Sequence, residues 1–200
     1  MIFNPEIHHR RSIRLKSYDY SLEGAYFVTM VCQNRENLFG DIKNGKMFLN
    51  DAGKMIETWW QKIPEKFPHA EIDEFVIIPN HLHGILSIVG ANPCIRPDVK
   101  NKSETESGDN IVSPLRIPNS YGGLGQIISW FKRMSTNEYI RNVKEKSWPP
   151  FYKSVWQKNY YEHVIRNESD LQKIREYMLF NPENWENDEN FFNVKNNDAD

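Results

Sequence analysis

The sequence reads as a mixture of strands and helices, an expected α+β domain, and three observations carry the assignment of its elements. Runs rich in Val, Ile, Phe, Tyr and Thr recur along the chain with the lengths of strands, three segments repeat apolar residues at helical spacing, and Asn, Gly and Pro punctuate the boundaries between them. Tyr26 to Cys32 is the first strand. Leu38 to Ile42 and Lys46 to Leu49 flank Asn44-Gly45 and read as a hairpin, because that dipeptide suits a tight turn. Asn50 or Asp51 then caps a helix whose apolar positions Met55, Ile56, Trp59 and Ile63 run as far as Pro64, which is expected to stop it. Glu71 to Pro79 and His81 to Val89 are two β-rich runs broken at Pro79-Asn80, where an edge, a bulge or a turn belongs.

Residues 90–123 hold four prolines and no apolar period, and read as a flexible insertion at about 91–121. Leu124, Ile127, Ile128, Phe131, Met134, Ile140 and Val143 form the stripe of a second helix. Trp156 to Ile165 leans towards strand, and Asn167 with Asp170 opens a third helix carrying Leu171, Ile174 and Met178 until Pro182. A single domain over 10–185 is expected, followed by an acidic, loosely ordered tail at 186–200.

At 200 residues the chain can bury roughly 70% of its unfolded surface without staples, so a metal would serve chemistry rather than folding. The longest apolar stretch, Ala25 to Cys32, is far too short for a membrane span, and Met1 to Arg14 resembles no secretion signal; a soluble, cytoplasmic protein without a membrane partner is expected. Cys32 and Cys94 lack any metal-binding spacing. The net charge of −2 conceals an asymmetry: residues 183–200 carry −5 and the remainder +3. Within Gln126 to Arg166 the local charge is +5, and 9 of 41 residues are aromatic. Phosphate contact with base stacking on single-stranded nucleic acid needs that mixture, but a buried core beneath a solvated helix face would produce it equally.

Side chains two apart on a strand share a face, so His81 and His83 present two imidazoles together while Leu82 faces the core. Two such histidines can bind one metal ion or form ordinary hydrogen bonds. Tyr177 and Asn181 lie four apart on the third helix and share a face; the phenol suits a nucleophile and the amide a metal ligand, although Tyr177 also fits as a half-buried aromatic. Pro182 is expected to disfavour helical dihedrals at Asn181 and turn its side chain away.

Taken in order, these pieces resemble the single-tyrosine HUH transposases, in particular the REP-associated tyrosine transposases. The resemblance is carried by Arg10-Arg11-Ser12-Ile13-Arg14-Leu15, Gly24-Ala25-Tyr26-Phe27-Val28-Thr29, Gln33-Asn34-Arg35 and Leu38-Phe39-Gly40. It continues through Pro79-Asn80-His81-Leu82-His83-Gly84, Leu124-Gly125-Gln126-Ile127-Ile128 with Phe131-Lys132, Trp156-Gln157, Glu162-His163-Val164-Ile165-Arg166-Asn167 and Glu176-Tyr177-Met178-Leu179-Phe180-Asn181-Pro182. It implies a ferredoxin-like antiparallel sheet with packed helices. It also implies a Mg²⁺- or Mn²⁺-dependent enzyme that nicks single-stranded DNA beside a hairpin through a 5′-phosphotyrosine. Tyr177 would be the nucleophile, and His81, His83 and Asn181 the metal ligands. DNA would be gripped by Arg10, Arg11, Arg14, Lys132, Arg133, Trp156, Lys158, His163 and Arg166, with His163 alternatively holding the strand end. The chain would act as a monomer or as a homodimer exchanging tyrosine helices.

Cupin and amidohydrolase readings of His-x-His fail. Ser87 and Ile88 stand where a cupin needs Glu, and an amidohydrolase barrel needs more chain and more ligands. The alternatives left open are a replication initiator or relaxase, and a non-catalytic hairpin-binding protein with the same fold.

Overall fold

A computed structural model describes residues 23–89 and 122–185. Arg10, Arg11, Arg14, Cys94, the 91–121 segment and the acidic tail lie outside the described residues. The first strand, β1, spans Gly24–Val31. Strands β2 (Gly40–Lys43) and β3 (Lys46–Leu49) form a separate hairpin whose Asn44 and Gly45 take φ of 52° and 70°, the left-handed conformation that this dipeptide tolerates. Helix α1 (Asp51–Gln61) starts at Asn50, whose side chain accepts from the Gly53 N–H at 2.9 Å. Pro64 does not stop α1, which ends before it; it lies in the first turn of a short helix, α2 (Ile63–Lys66), where a missing N–H breaks no hydrogen bond.

Strands β4 (Ala70–Ile78) and β5 (His81–Ile88) are joined by the two-residue turn Pro79-Asn80. Helix α3 spans Leu124–Lys146, β6 Tyr161–Ile165 and α4 Glu168–Phe180. The predicted strand from Trp156 is thus shorter than expected; Trp156 itself makes only an isolated bridge to Cys32. The main sheet has the order β4-β5-β1-β6 with every neighbouring pair antiparallel. Two strand–helix–strand crossovers around a central β4–β5 hairpin produce this order, which is the ferredoxin-like α+β arrangement.

Alternation along the strands divides the sheet into two faces. Tyr26, Val28 and Met30 of β1 and Leu82 and Leu86 of β5 join Trp60 of α1 and Ile127, Ile128 and Phe131 of α3 in one core. Trp60 meets Phe131 edge-on at 5.2 Å, and Phe131 lies 5.8 Å from Trp156. The buried stripe of α3 differs from the predicted one: it runs through Phe131, Ser135, Tyr139 and Asn142, whereas Ile140 is exposed. The Ser135 hydroxyl makes this possible, donating to the Phe131 carbonyl and accepting the Trp156 indole N–H at 3.0 Å. Among the described residues no helix is long and apolar enough to cross a membrane. The opposite face of the sheet carries Phe27, Thr29, His81 and His83 and is crossed by α4.

Candidate active site

The turn before β5 fixes the first histidine. Asn80 is fully buried, and its Nδ2 donates to the Arg35 carbonyl at 3.1 Å, so its Oδ1 is the atom that faces His81 Nδ1 at 2.8 Å. An amide oxygen only accepts; His81 therefore carries its proton on Nδ1 and directs the Nε2 lone pair towards His83. The β1–β5 register sets Thr29 opposite His83, with Thr29 Oγ1 2.8 Å from His83 Nδ1. The two Nε2 atoms stand 2.9 Å apart. Both imidazoles are buried, His83 stacked on Phe27 at 5.3 Å and His81 lying 5.7 Å from the Trp185 ring.

Burial first, and then the neighbouring His81, hold the His83 imidazole well below the usual histidine range. The unfolded imidazole protonates near pH 6.5 and the folded one does not, so the stability tied to neutral His83 is complete above about pH 6.5. It is lost as the pH falls from there through the depressed folded value. A His83→Gln chain is expected to lose less stability than the wild type between pH 7 and pH 5 in denaturant titrations; equal losses would contradict a dry, neutral imidazole.

Helix α4 brings the phenol to this pair. Asn167 caps it by accepting from the Asp170 N–H at 2.9 Å, and Tyr177 Oη reaches His83 Nε2 at 3.2 Å within the same chain. The Tyr177 ring meets His83 edge-on at 5.2 Å and Phe27 at 6.1 Å, yet the residue remains 44% exposed. Asn181 keeps helical dihedrals (φ −59°, ψ −42°) despite Pro182, contrary to the expectation from sequence. The Met178 carbonyl that Pro182 cannot bond is taken by the Asn181 N–H at 3.3 Å. The Asn181 side chain is buried.

The predicted DNA-binding residues divide. Arg133, Lys158 and Arg166 are exposed. Trp156 is 3% exposed and built into the core, so it presents no free ring face to a base; this corrects its predicted role. Lys132 is also committed: its ammonium donates to the carbonyls of Gln157 (2.9 Å) and Asn159 (2.8 Å), and burial brings it down to about 8. It fixes the approach to β6. His163 Nε2 pairs with Asp170 Oδ2 at 2.8 Å, joining β6 to the first turn of α4, and this hydrogen bond lowers the Asp170 carboxyl. Cys32 is buried in the core, which pushes its thiol well above the ordinary value. Thr29, Phe27 and Trp185 escaped the sequence reading because strand register and helix docking bring them in; Asn80, adjacent to His81, was the one signal in reach.

The sheet thus presents two adjacent imidazoles to a tyrosine on the last described helix, all within hydrogen-bond distance. The chain belongs to one family with an uncharacterized protein of Haemophilus influenzae Rd, 43% identical over 192 residues that span 94% of this chain and 96% of that protein. It is also related to a protein of the same organism named "Putative REP-associated tyrosine transposase", 22% identical over 167 residues, 82% of this chain and 73% of that one. Among solved structures it is similar to a REP-associated tyrosine transposase bound to a REP hairpin, at 19% identity and TM-score 0.49, covering 86% of this chain and 74% of that one. No family model matches the chain.

Proposed function

We propose that this chain is a divalent-metal-dependent endonuclease and strand transferase that cuts single-stranded DNA beside a hairpin through a covalent 5′-phosphotyrosine. The observation that carries the reading is the convergence of Tyr177 Oη, His83 Nε2 and His81 Nε2, at 3.2 Å and 2.9 Å, on the face of the sheet that α4 crosses. Two cis ligands about 2.0–2.1 Å from an octahedral ion stand about 2.9 Å apart, so the nitrogen separation suits a shared ion. Among the described residues no group of three His, Cys, Asp or Glu is gathered, so oxygen donors such as the Asn181 amide would complete the set. That mixture suits Mg²⁺ or Mn²⁺, with His81, His83 and Asn181 as the holders. Such an ion, when bound, polarises the scissile phosphate and stabilises its developing charge by several kcal/mol.

A free phenol is mostly protonated at neutral pH, a handicap of about 4 kcal/mol that orientation beside the histidines helps to offset. Tyr177 supplies the oxygen that bonds to phosphorus; the P–O3′ bond breaks and leaves a 3′-OH. Reversal by another 3′-OH rejoins strands without an external energy source. Arg133, Lys158 and Arg166, with Arg10, Arg11 and Arg14, would hold the DNA backbone. One chain brings the tyrosine and the histidines together, which supports cleavage by a monomer.

The test is to incubate the protein and Mn²⁺ with a labelled pool of single-stranded oligonucleotides in which hairpins are flanked by randomised sequence. A denaturation-resistant adduct that peptide mass mapping assigns to Tyr177 is expected. No adduct, with hairpin binding retained, would instead assign the chain to the non-catalytic binders, and an adduct on another residue would remove Tyr177 from its role.

A further inference from the structure

We propose that Arg175 and Asp73 are positioning residues for the tyrosine: their ion pair fastens α4 to the far edge of the sheet and sets Tyr177 against the histidine pair. The proposal rests on the cleavage reading above. Helix α4 leaves β6 at one edge of the sheet and reaches β4 at the other, passing over β1 and β5. Of its 13 residues only Met178 is buried, while Leu179 and Phe180 are 70% and 49% exposed. Helices in proteins are held mainly by burying an apolar face, and a helix this short is marginal alone. Polar contacts therefore add to the half-buried Leu171 and Ile174 and to the Tyr177 ring in placing it.

Two such contacts stand out. At the start of α4, His163 pairs with Asp170. Beyond the middle, the Arg175 guanidinium grips Asp73 with a two-pronged bond, Nε to Oδ1 at 3.2 Å and Nη2 to Oδ2 at 2.6 Å. Asp73 lies where the β4–β5 register shifts between Ile72 and Phe75, and a bulge of this kind re-aims a side chain out of the regular ladder. The irregularity in β4 thus places a carboxylate where α4 can use it. Glu74 and Glu168, at 4.0 Å and 3.9 Å from the same guanidinium, keep it within an acidic setting.

The geometry matters more than the strength of a partly exposed pair. A forked guanidinium–carboxylate bond fixes orientation as well as distance, which a lysine cannot reproduce. Arg175 lies two residues, about 3 Å of helical rise, from Tyr177, so a tilt or slide permitted at Arg175 reaches the phenol almost undiminished. A misplacement of about 1 Å in a reacting group costs on the order of 100-fold in rate.

Arg175→Lys and Asp73→Asn test this by two readouts. Hydrogen–deuterium exchange without DNA is expected to show about tenfold faster exchange of the 168–180 amides in the single variants, with β1 and β5 unchanged. Adduct formation with Mn²⁺ and the hairpin pool at saturating DNA is expected to slow about 10- to 100-fold in the same variants, with half-saturation within about twofold. Should Asp73→Asn loosen the whole sheet, Arg175→Lys, which keeps the charge, carries the decision. Unchanged α4 exchange, or faster exchange with an unchanged rate, overturns the proposal. Absence of adduct in the wild type would instead remove the cleavage reading, while the exchange data still decide whether the pair anchors α4.

Discussion

Tyr177→Phe is expected to abolish the covalent DNA adduct, a loss of roughly 10³-fold or more bounded by detection, while the fold and hairpin binding survive. The substitution removes one oxygen from a ring whose other contacts, edge-on to His83 at 5.2 Å and to Phe27 at 6.1 Å, do not involve the hydroxyl. The hydrogen bond forfeited, Tyr177 Oη to His83 Nε2, lies at a half-exposed site, so its loss costs about 1 kcal/mol or less. For a chain of this length that is a fall in melting temperature of about 2–4 °C at most. The phenyl ring still covers His83, and the histidine pair keeps Asn80 and Thr29 on its Nδ1 atoms. An adduct of equal yield in the variant would show that another group attacks the phosphate. Its loss together with a collapse of the fold, read by thermal melting, would show that the hydroxyl is structural.

Which parts of this site were legible in the sequence follows from which contacts are local. His81 and His83 share a face because a strand alternates, and Tyr177 and Asn181 share one because a helix turns; both follow from spacing alone. Thr29 joins them only through a β1–β5 register linking residues 54 apart, and Asp73 meets Arg175 across 102 residues. Nothing near either residue announces the meeting. Trp156 and Lys132 mark a different limit. An aromatic residue among basic ones has the same composition whether its ring stacks on a base or packs on Phe131, and Lys132 serves main-chain carbonyls that only the folded segment presents. Asn181 departs in the other direction: the rule for residues before proline is statistical, and here the residue stays helical with its N–H on the Met178 carbonyl.

Gly84→Ala is expected to disable the site through the opposite face of the sheet. Gly84 follows His83 and points into the core, where the Trp60 indole lies flat against it; a methyl group there would stand 3.0 Å from Trp60 Cε2, 3.1 Å from Cη2 and nearer still to Cζ2. The indole cannot retreat, being fully buried and hemmed by Phe131 at 5.2 Å and Phe75 at 6.3 Å. Either the ring or strand β5 must yield, and such overpacking costs about 1–3 kcal/mol, roughly 2–12 °C in melting temperature. Because β5 is the strand that carries both histidines, a shift of about 1 Å also separates them from Tyr177 and lowers cleavage on the order of 100-fold. Both losses have one steric cause, so trimming the partner should reverse them in part. Trp60→Phe, which replaces the two-ring indole with a single, shorter ring, is expected to recover stability and cleavage when combined with Gly84→Ala, although alone it leaves a cavity and destabilises. If the two substitutions merely add their costs, the contact between Gly84 and Trp60 does not set the height of β5, and the glycine after the second histidine must be explained by the backbone instead.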